Sequence, residues 1–381
     1  MNETAPNAVG AEADGEKRTT YVELFFDLVF VFAITQLAGL LKHRHDGAGW
    51  VHLALMTWMV WWAWSLYTWA GNAIDVQRTW ARGGLLFVTA FTLVFAEAMP
   101  QAFAGRGQQF AVAYAVVRLA GLALYWYGLR EDKGQRAALL TFLPISALAA
   151  VIVLVGGFVS VSARPWVWAL AFLIDFASTL AAGRGEFHVS PTHFAERHAL
   201  IVIIALGESI VSVGVAGSEL DPTAVRYAAA GSAFVVIAAL WWAYFDWVQG
   251  AAEHQLVITP PETRGRLARD LFTYFHLPIV AGTVLFAVGV EGAVAEPLMP
   301  FEPFRRWAIG AGIVLYLSGF ILSHARSGHG LLVDRAIGAV MVAALVAVLG
   351  PRLDSVWLLA ILAVVSVGMT AVESLRPHRS A

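Results

Sequence analysis

Residues 21–41 read YVELFFDLVFVFAITQLAGLL, an unbroken apolar stretch in which Glu23 and Asp27 are the only charged side chains. A helix of that length covers about 30 Å at 1.5 Å per residue, the thickness of a bilayer's hydrocarbon core. The two carboxylates stand four residues apart and therefore share a helix face, which Phe30, Val31 and Ile34 continue as an apolar stripe. The stretch thus reads as a membrane-spanning helix with an acidic entrance.

The same pattern recurs along the chain. Further apolar segments fall at about 50–70, 80–99, 108–128, 137–160, 165–182, 193–217, 225–249, 269–291, 302–323, 331–350 and 355–375, predicting an all-α integral membrane protein of about twelve transmembrane helices. The breaks carry charge or turn chemistry, as in Lys42-His43-Arg44-His45-Asp46-Gly47, Arg130-Glu131-Asp132-Lys133-Gly134 and Pro260-Pro261-Glu262-Thr263-Arg264. Composition agrees: 59% of residues are hydrophobic, 14% are charged, and the mean hydropathy is +0.68. Too few polar groups exist to cover a water-soluble surface, so lipid is the expected partner.

Laying helix 2 on helix 8 matches Trp61-Trp62-Ala63-Trp64 with Trp241-Trp242-Ala243-Tyr244. Val31 to Gln36 in helix 1 then lies on Ile203 to Glu208 in helix 7, and Thr92 to Ala96 in helix 3 resembles Thr283 to Ala287 in helix 9. The expected organisation is a polar tail (1–20), a first six-helix repeat (21–187) and a second (188–381). An even number of spans separates the copies, so the repeats share one orientation. The Lys and Arg bias, from Lys17, Arg18, Arg78, Arg130, Lys133, Arg136, Arg264, Arg266 and Arg326, favours both termini in the cytoplasm, with Arg226, Arg305 and Arg306 opposing it. A homo-oligomer is open.

A charged side chain near the bilayer centre costs roughly 2.5–3.5 kcal/mol, so embedded ionisable residues mark a partner, a water-filled path or a function. In helix 7, His193, Arg197, Ile201, Ile204, Glu208 and Ser212 follow three- and four-residue steps on one stripe. Glu208 lies eleven residues, about 16 Å, beyond Arg197, so its partner must come from another helix, from water or from a bound ion. The candidate transport pathway comprises Glu23, Asp27, Ile34, Gln36, His193, Glu196, Arg197, Glu208 and Ser212. Secondary intramembrane polar residues are Glu97, Arg118, Asp175, Asp246 and His276, with Asp334, each readable simply as a paired residue joining helices.

Several chemistries are excluded or unsupported. The chain has no cysteine, which rules out disulfides, thiolate nucleophiles and Cys-ligated metals. A net charge of -2 without a long basic run argues against nucleic acid. The pairs His43/His45 and His324/His329 lack carboxylate or thiolate ligands at metal-site spacing, so no metal or cofactor is expected. No phosphate loop, nucleophile elbow or other catalytic constellation is present.

Glu23 to Gln36, and His193-Phe194-Ala195-Glu196-Arg197-His198-Ala199-Leu200 running on to Glu208-Ser209, together resemble the low temperature requirement A (LtrA) family of bacterial membrane proteins. The resemblance covers nearly the whole chain after the polar tail. It implies a bacterial multi-pass protein of the plasma membrane linked to growth in the cold. Phe26-Asp27, Val29-Phe30 and Ala33-Ile34-Thr35 are also similar to the first-helix signature of the endolysosomal potassium/proton channel family, in which the first helix of each six-helix repeat lines the pore. Here Phe25 replaces that signature's serine, and His198 or Ala199 stands where helix 7 would repeat Asp27. The resulting expectation is a channel or transporter for protons or small cations, with helices 1 and 7 lining the pathway. The alternative is a membrane-embedded enzyme or lipid-binding protein using Arg197, His193 and Glu208.

Overall fold

The computed structural model describes residues 17–41, 46–182, 187–218, 221–328 and 332–374. Among these residues there is no strand, only an isolated bridge between Pro300 and Asp354. The helices are α1 (Tyr21–Leu40), α2 (Gly47–Ala73), α3 (Thr79–Gln101), α4 (Gly107–Gly128), α5 (Lys133–Phe158) and α6 (Arg164–Ala182), followed by α7 (Pro191–Ser218), α8 (Ala224–Ile258), α9 (Pro261–Ala295), α10 (Pro303–Arg326), α11 (Val333–Val348) and α12 (Ser355–Ser374). Nine of them are long and apolar enough to cross a membrane, among the described residues. The other three are α2, whose six tryptophans and tyrosine lower its hydropathy, α11, which has only 16 residues, and α6, which carries Arg164 and Asp175.

Helix starts follow local chemistry. Thr20 and Glu23 form a capping box at α1, with both the backbone N–H and the hydroxyl of Thr20 donating to Glu23 Oε2 at 2.9 Å. Asp46, Asp132 and Thr223 cap α2, α5 and α8 by accepting a backbone N–H. Pro261 and Pro303 open α9 and α10, where a missing N–H costs nothing.

Helices α8 and α9 outrun the sequence reading, which ended one at 249 and began the other at 269. Each has 35 residues. The intervening residues are polar, so hydropathy marks them as loop, yet their helical propensity carries α8 on to Ile258, where Pro260-Pro261 breaks it. Each rod contains a π-helical segment, Tyr244–Val248 in α8 and Arg269–Tyr274 in α9.

Two large apolar clusters form the core. One is built mostly from α1 to α6, with Ile201 and Ala205 of α7 and Val280 and Val284 of α9 reaching into it. The other is built from α7 to α12. Helices α9 and α10 approach backbone to backbone: a Cβ on Gly282 would fall 2.7 Å from Tyr316 N, and one on Gly312 would fall 2.7 Å from Gly282 O. Small residues permit such contact between lipid-embedded helices.

Candidate functional site

Helix α1 has one buried face, Glu23, Phe26, Asp27, Phe30, Ala33, Ile34 and Leu37, and leaves Tyr21, Phe25 and Leu28 exposed. Buried α7 residues include His193, Arg197, Ile201, Ala205, Glu208 and Ser212. These two faces meet. Arg197 lies between two carboxylates, its Nη1 donating to Glu23 Oε1 at 3.0 Å and its Nη2 to Asp27 Oδ1 at 2.6 Å. The Glu23 Oε1 atom also accepts from His193 Nε2 at 3.1 Å, which fixes that nitrogen as the protonated one. Trp64 of α2 donates its indole N–H to Asp27 Oδ1 at 2.9 Å and presents its ring 5.8 Å from the Arg197 guanidinium.

Glu23, Asp27, His193 and Arg197 are all at least 98% buried. Ionised groups persist at such burial only when paired, and the pairing here is incomplete. Asp27 Oδ2, Arg197 Nε and His193 Nδ1 are buried without a hydrogen-bond partner. Asp27 also lines a shallow lateral groove between α1 and α7, walled by Phe25, Leu28, Leu200 and Ile203. Gly71 of α2 makes room for the pair, since a Cβ there would come within 2.7 Å of Glu23 Oε1.

The chain before α1 closes the cluster at its outer end. Lys17 Nζ donates to the carbonyls of Gly71, Asn72 and Ile74 at 2.6, 2.9 and 2.7 Å, capping the C-terminal end of α2. Burial lowers the pKa of this ammonium, and the nearby Glu23 carboxylate works in the opposite sense. Thr19 donates its backbone N–H and its hydroxyl to Glu196 Oε2 at 2.9 and 2.8 Å.

A second polar level lies further along the same interface. Thr35 of α1 donates to Glu208 Oε2 at 2.5 Å, and Ser212 donates to Glu208 Oε1 at 3.5 Å. The expected helical partner of Glu208 is therefore α1. Contacts 23–193, 27–197 and 35–208 ascend together, so α1 and α7 run parallel at matching heights. Between the two levels Phe30, Ile34, Ile201 and Ala205 are buried in one apolar cluster.

The remaining candidates separate. Ile34 belongs to that apolar seal, and Gln36 is half-buried outside the cluster. Arg118 of α4 and Asp175 of α6 form a buried pair at 2.8 Å, bridged by Ser146 of α5. His276 is buried, its Nδ1–H donating to Leu271 O and its Nε2 accepting from the Tyr244 hydroxyl at 2.8 Å. Glu97 does not face the interior: it is more than half exposed and pairs with Arg106 at 2.7 Å. Asp246 is likewise exposed, on the π-helical turn of α8, and Asp334 is half-buried. His43, His45 and His329 lie outside the described residues. Sequence reasoning missed Trp64, Lys17 and Thr19, the pair Arg335–Glu373 at 2.5 Å, and Asp270 bridging Arg269 and Arg326. A polar residue inside an apolar run could have flagged Arg335, but nothing local distinguishes Trp64 from its neighbours.

Comparison with known proteins matches residues 18–371 to the family described as bacterial low temperature requirement A protein (LtrA). The chain is also 32% identical over 333 residues to the protein RA0937 of Rhizobium meliloti (strain 1021), itself described as uncharacterized, covering 84% of this chain and 80% of that one. No solved structure matches.

Proposed function

Because the chain belongs to the bacterial low temperature requirement A (LtrA) family of multi-pass membrane proteins, we propose that it conducts protons or small cations along the interface of α1 and α7. The observation that carries this reading is the arrangement of ionisable groups on that one interface. Glu23, Asp27, His193 and Arg197 form one buried level, and Thr35 with Glu208 and Ser212 forms another about 12 Å further along α1. Five ionisable groups on two helices exceed what joining those helices requires, and each costs energy to bury. The apolar residues between the levels, Phe30, Ile34, Ile201 and Ala205, then act as a closed gate.

The contacts that join α1 to α7 link residues separated by 170 to 174 positions, close to the offset of 172 that lays Val31–Gln36 on Ile203–Glu208. This agreement favours two parallel six-helix repeats making twelve spans, with the pathway between their first helices. The environment of the matched tryptophans differs, however: Trp61 and Trp62 are buried, whereas Trp241 and Trp242 are about half exposed. The reading in which His193, Arg197 and Glu208 form a single enzymatic or lipid-handling site has less support, since His193 bonds Glu23 while Glu208 bonds Thr35.

Reconstitution into proteoliposomes with a pH-sensitive dye and a panel of alkali cations tests the proposal. Wild-type protein is expected to dissipate an imposed gradient, and Glu208→Gln and Asp27→Asn are expected to slow it about tenfold or more. Wild-type vesicles no leakier than empty ones across pH and cation type would sink the reading.

A further inference from the structure

A second polar site lies away from α1 and α7. A narrow cleft with about 70 Å³ of open volume runs between α2, α4 and α5 of the first half and the start of α9 in the second, room for a slender chain and not for a bulky ligand. Its walls are aromatic, including Trp62, Trp69, Tyr125, Phe142 and Phe187. The charged residues lining it are Arg118, Arg266 and Arg269, and no carboxylate lines it among the described residues.

Arg118 carries the argument. It is 0% exposed near the middle of α4, about 15 Å from either end of that helix, where a guanidinium is expensive. Asp175 and Ser146 engage only Nη2, and both Nε and Nη1 are buried without a hydrogen-bond partner. A guanidinium presents five N–H donors, so a group serving only to tie α4 to α6 would leave fewer unmet. Of the other two lining arginines, Arg269 is bonded to Asp270, which Arg326 also holds, and Arg266 is exposed. Four guanidiniums therefore stand against two carboxylates, Asp175 and Asp270, which leaves the site cationic.

We propose that this cleft binds a single-chain amphiphile with an oxyanion head, a carboxylate or a phosphate monoester. The head bonds the free N–H groups of Arg118, and the chain lies against Trp62, Trp69 and Phe142. Arg266 at the mouth draws the anion in. Tryptophan and arginine together supply what such a molecule needs, an apolar wall and a forked donor for oxygen pairs.

The test is photo-crosslinking of full-length protein in zwitterionic nanodiscs with a diazirine-bearing decanoate, followed by peptide mapping. Label is expected on α2, α4 and the first turns of α9. Decanoate and decyl phosphate are expected to compete, while decyltrimethylammonium and inorganic phosphate are not. Arg118→Gln is expected to lower labelling about tenfold or more through the lost charge-assisted bonds. Because that variant also touches the Asp175 pair, Ser65→Trp, which fills the cleft, and Arg266→Glu, which reverses the exposed charge, are run beside it and are expected to lower labelling too. Equal competition by the cationic analogue, competition by inorganic phosphate alone, or wild-type labelling in both Ser65→Trp and Arg266→Glu would overturn the proposal. The ion-flux measurement does not bear on it, so the two readings stand or fall separately.

Discussion

At the scale of single residues, Arg197 is the pivot, since its guanidinium is the shared partner of Glu23 and Asp27. Removing one member of a buried ion cluster leaves the others uncompensated, a loss of about 3–5 kcal/mol, whereas removing all of them together is often neutral. Arg197→Met alone is therefore expected to lower the thermal unfolding midpoint in detergent sharply. The combination of Arg197→Met, Glu23→Gln and Asp27→Asn should recover most of that loss; a triple variant as unstable as the single one would mean the charges do not act as a unit. Much of this site was legible. Four-residue spacing placed Glu23 with Asp27, and rise per residue ruled out Arg197 as the partner of Glu208. Helical phase tells which face a side chain is on, but not which neighbour it meets. The attachment of Glu208 to Thr35, of Trp64 to Asp27 and of Lys17 to the end of α2 therefore had to come from coordinates.

At the scale of elements, most apolar segments became helices within a few residues of their expected limits, because the length of an apolar run is itself the signal. The failures have a cause in common. Hydropathy sees only the lipid-facing part of a helix, so α8 and α9 were cut short where their sequences turn polar, and π-helical turns leave no compositional trace. Packing between elements gives a sharper test. Gly282 and Gly312 let α9 and α10 touch through their backbones, so Gly312→Leu is expected to force the pair apart and to destabilise the protein by ~1–3 kcal/mol or more, as overpacking does. Gly231 on α8 has open space around it, and Gly231→Leu serves as the matched control, expected to leave the unfolding midpoint unchanged. Equal effects of the two substitutions would show that the close approach does not matter.

At the scale of the whole molecule, the parallel course of α1 and α7 sets how the two halves meet. The absence of cysteine makes this directly measurable, since any introduced pair works against no background. Thr35→Cys with Glu208→Cys is expected to cross-link with a short bifunctional thiol reagent in native membranes, and Thr35→Cys with His193→Cys, at opposite ends of the interface, is not. Cross-linking of the second pair and not the first would mean that the helices run antiparallel. The division of the core into two large clusters, the first of which takes in Ile201, Val280 and Phe304 from the second half of the chain, was not readable from composition, because both halves are uniformly apolar. The 35-residue length of α8 and α9 matters for anyone imaging this protein. Each rod measures about 52 Å against roughly 30 Å of hydrocarbon, and the added length is held within the fold, where Ala252 and Leu256 of α8 and Leu267, Ala268 and Leu271 of α9 pack with Phe194 of α7. The exposed turn at Pro260-Pro261-Glu262 that joins them is the natural epitope for an antibody fragment raised to give projections a landmark for alignment.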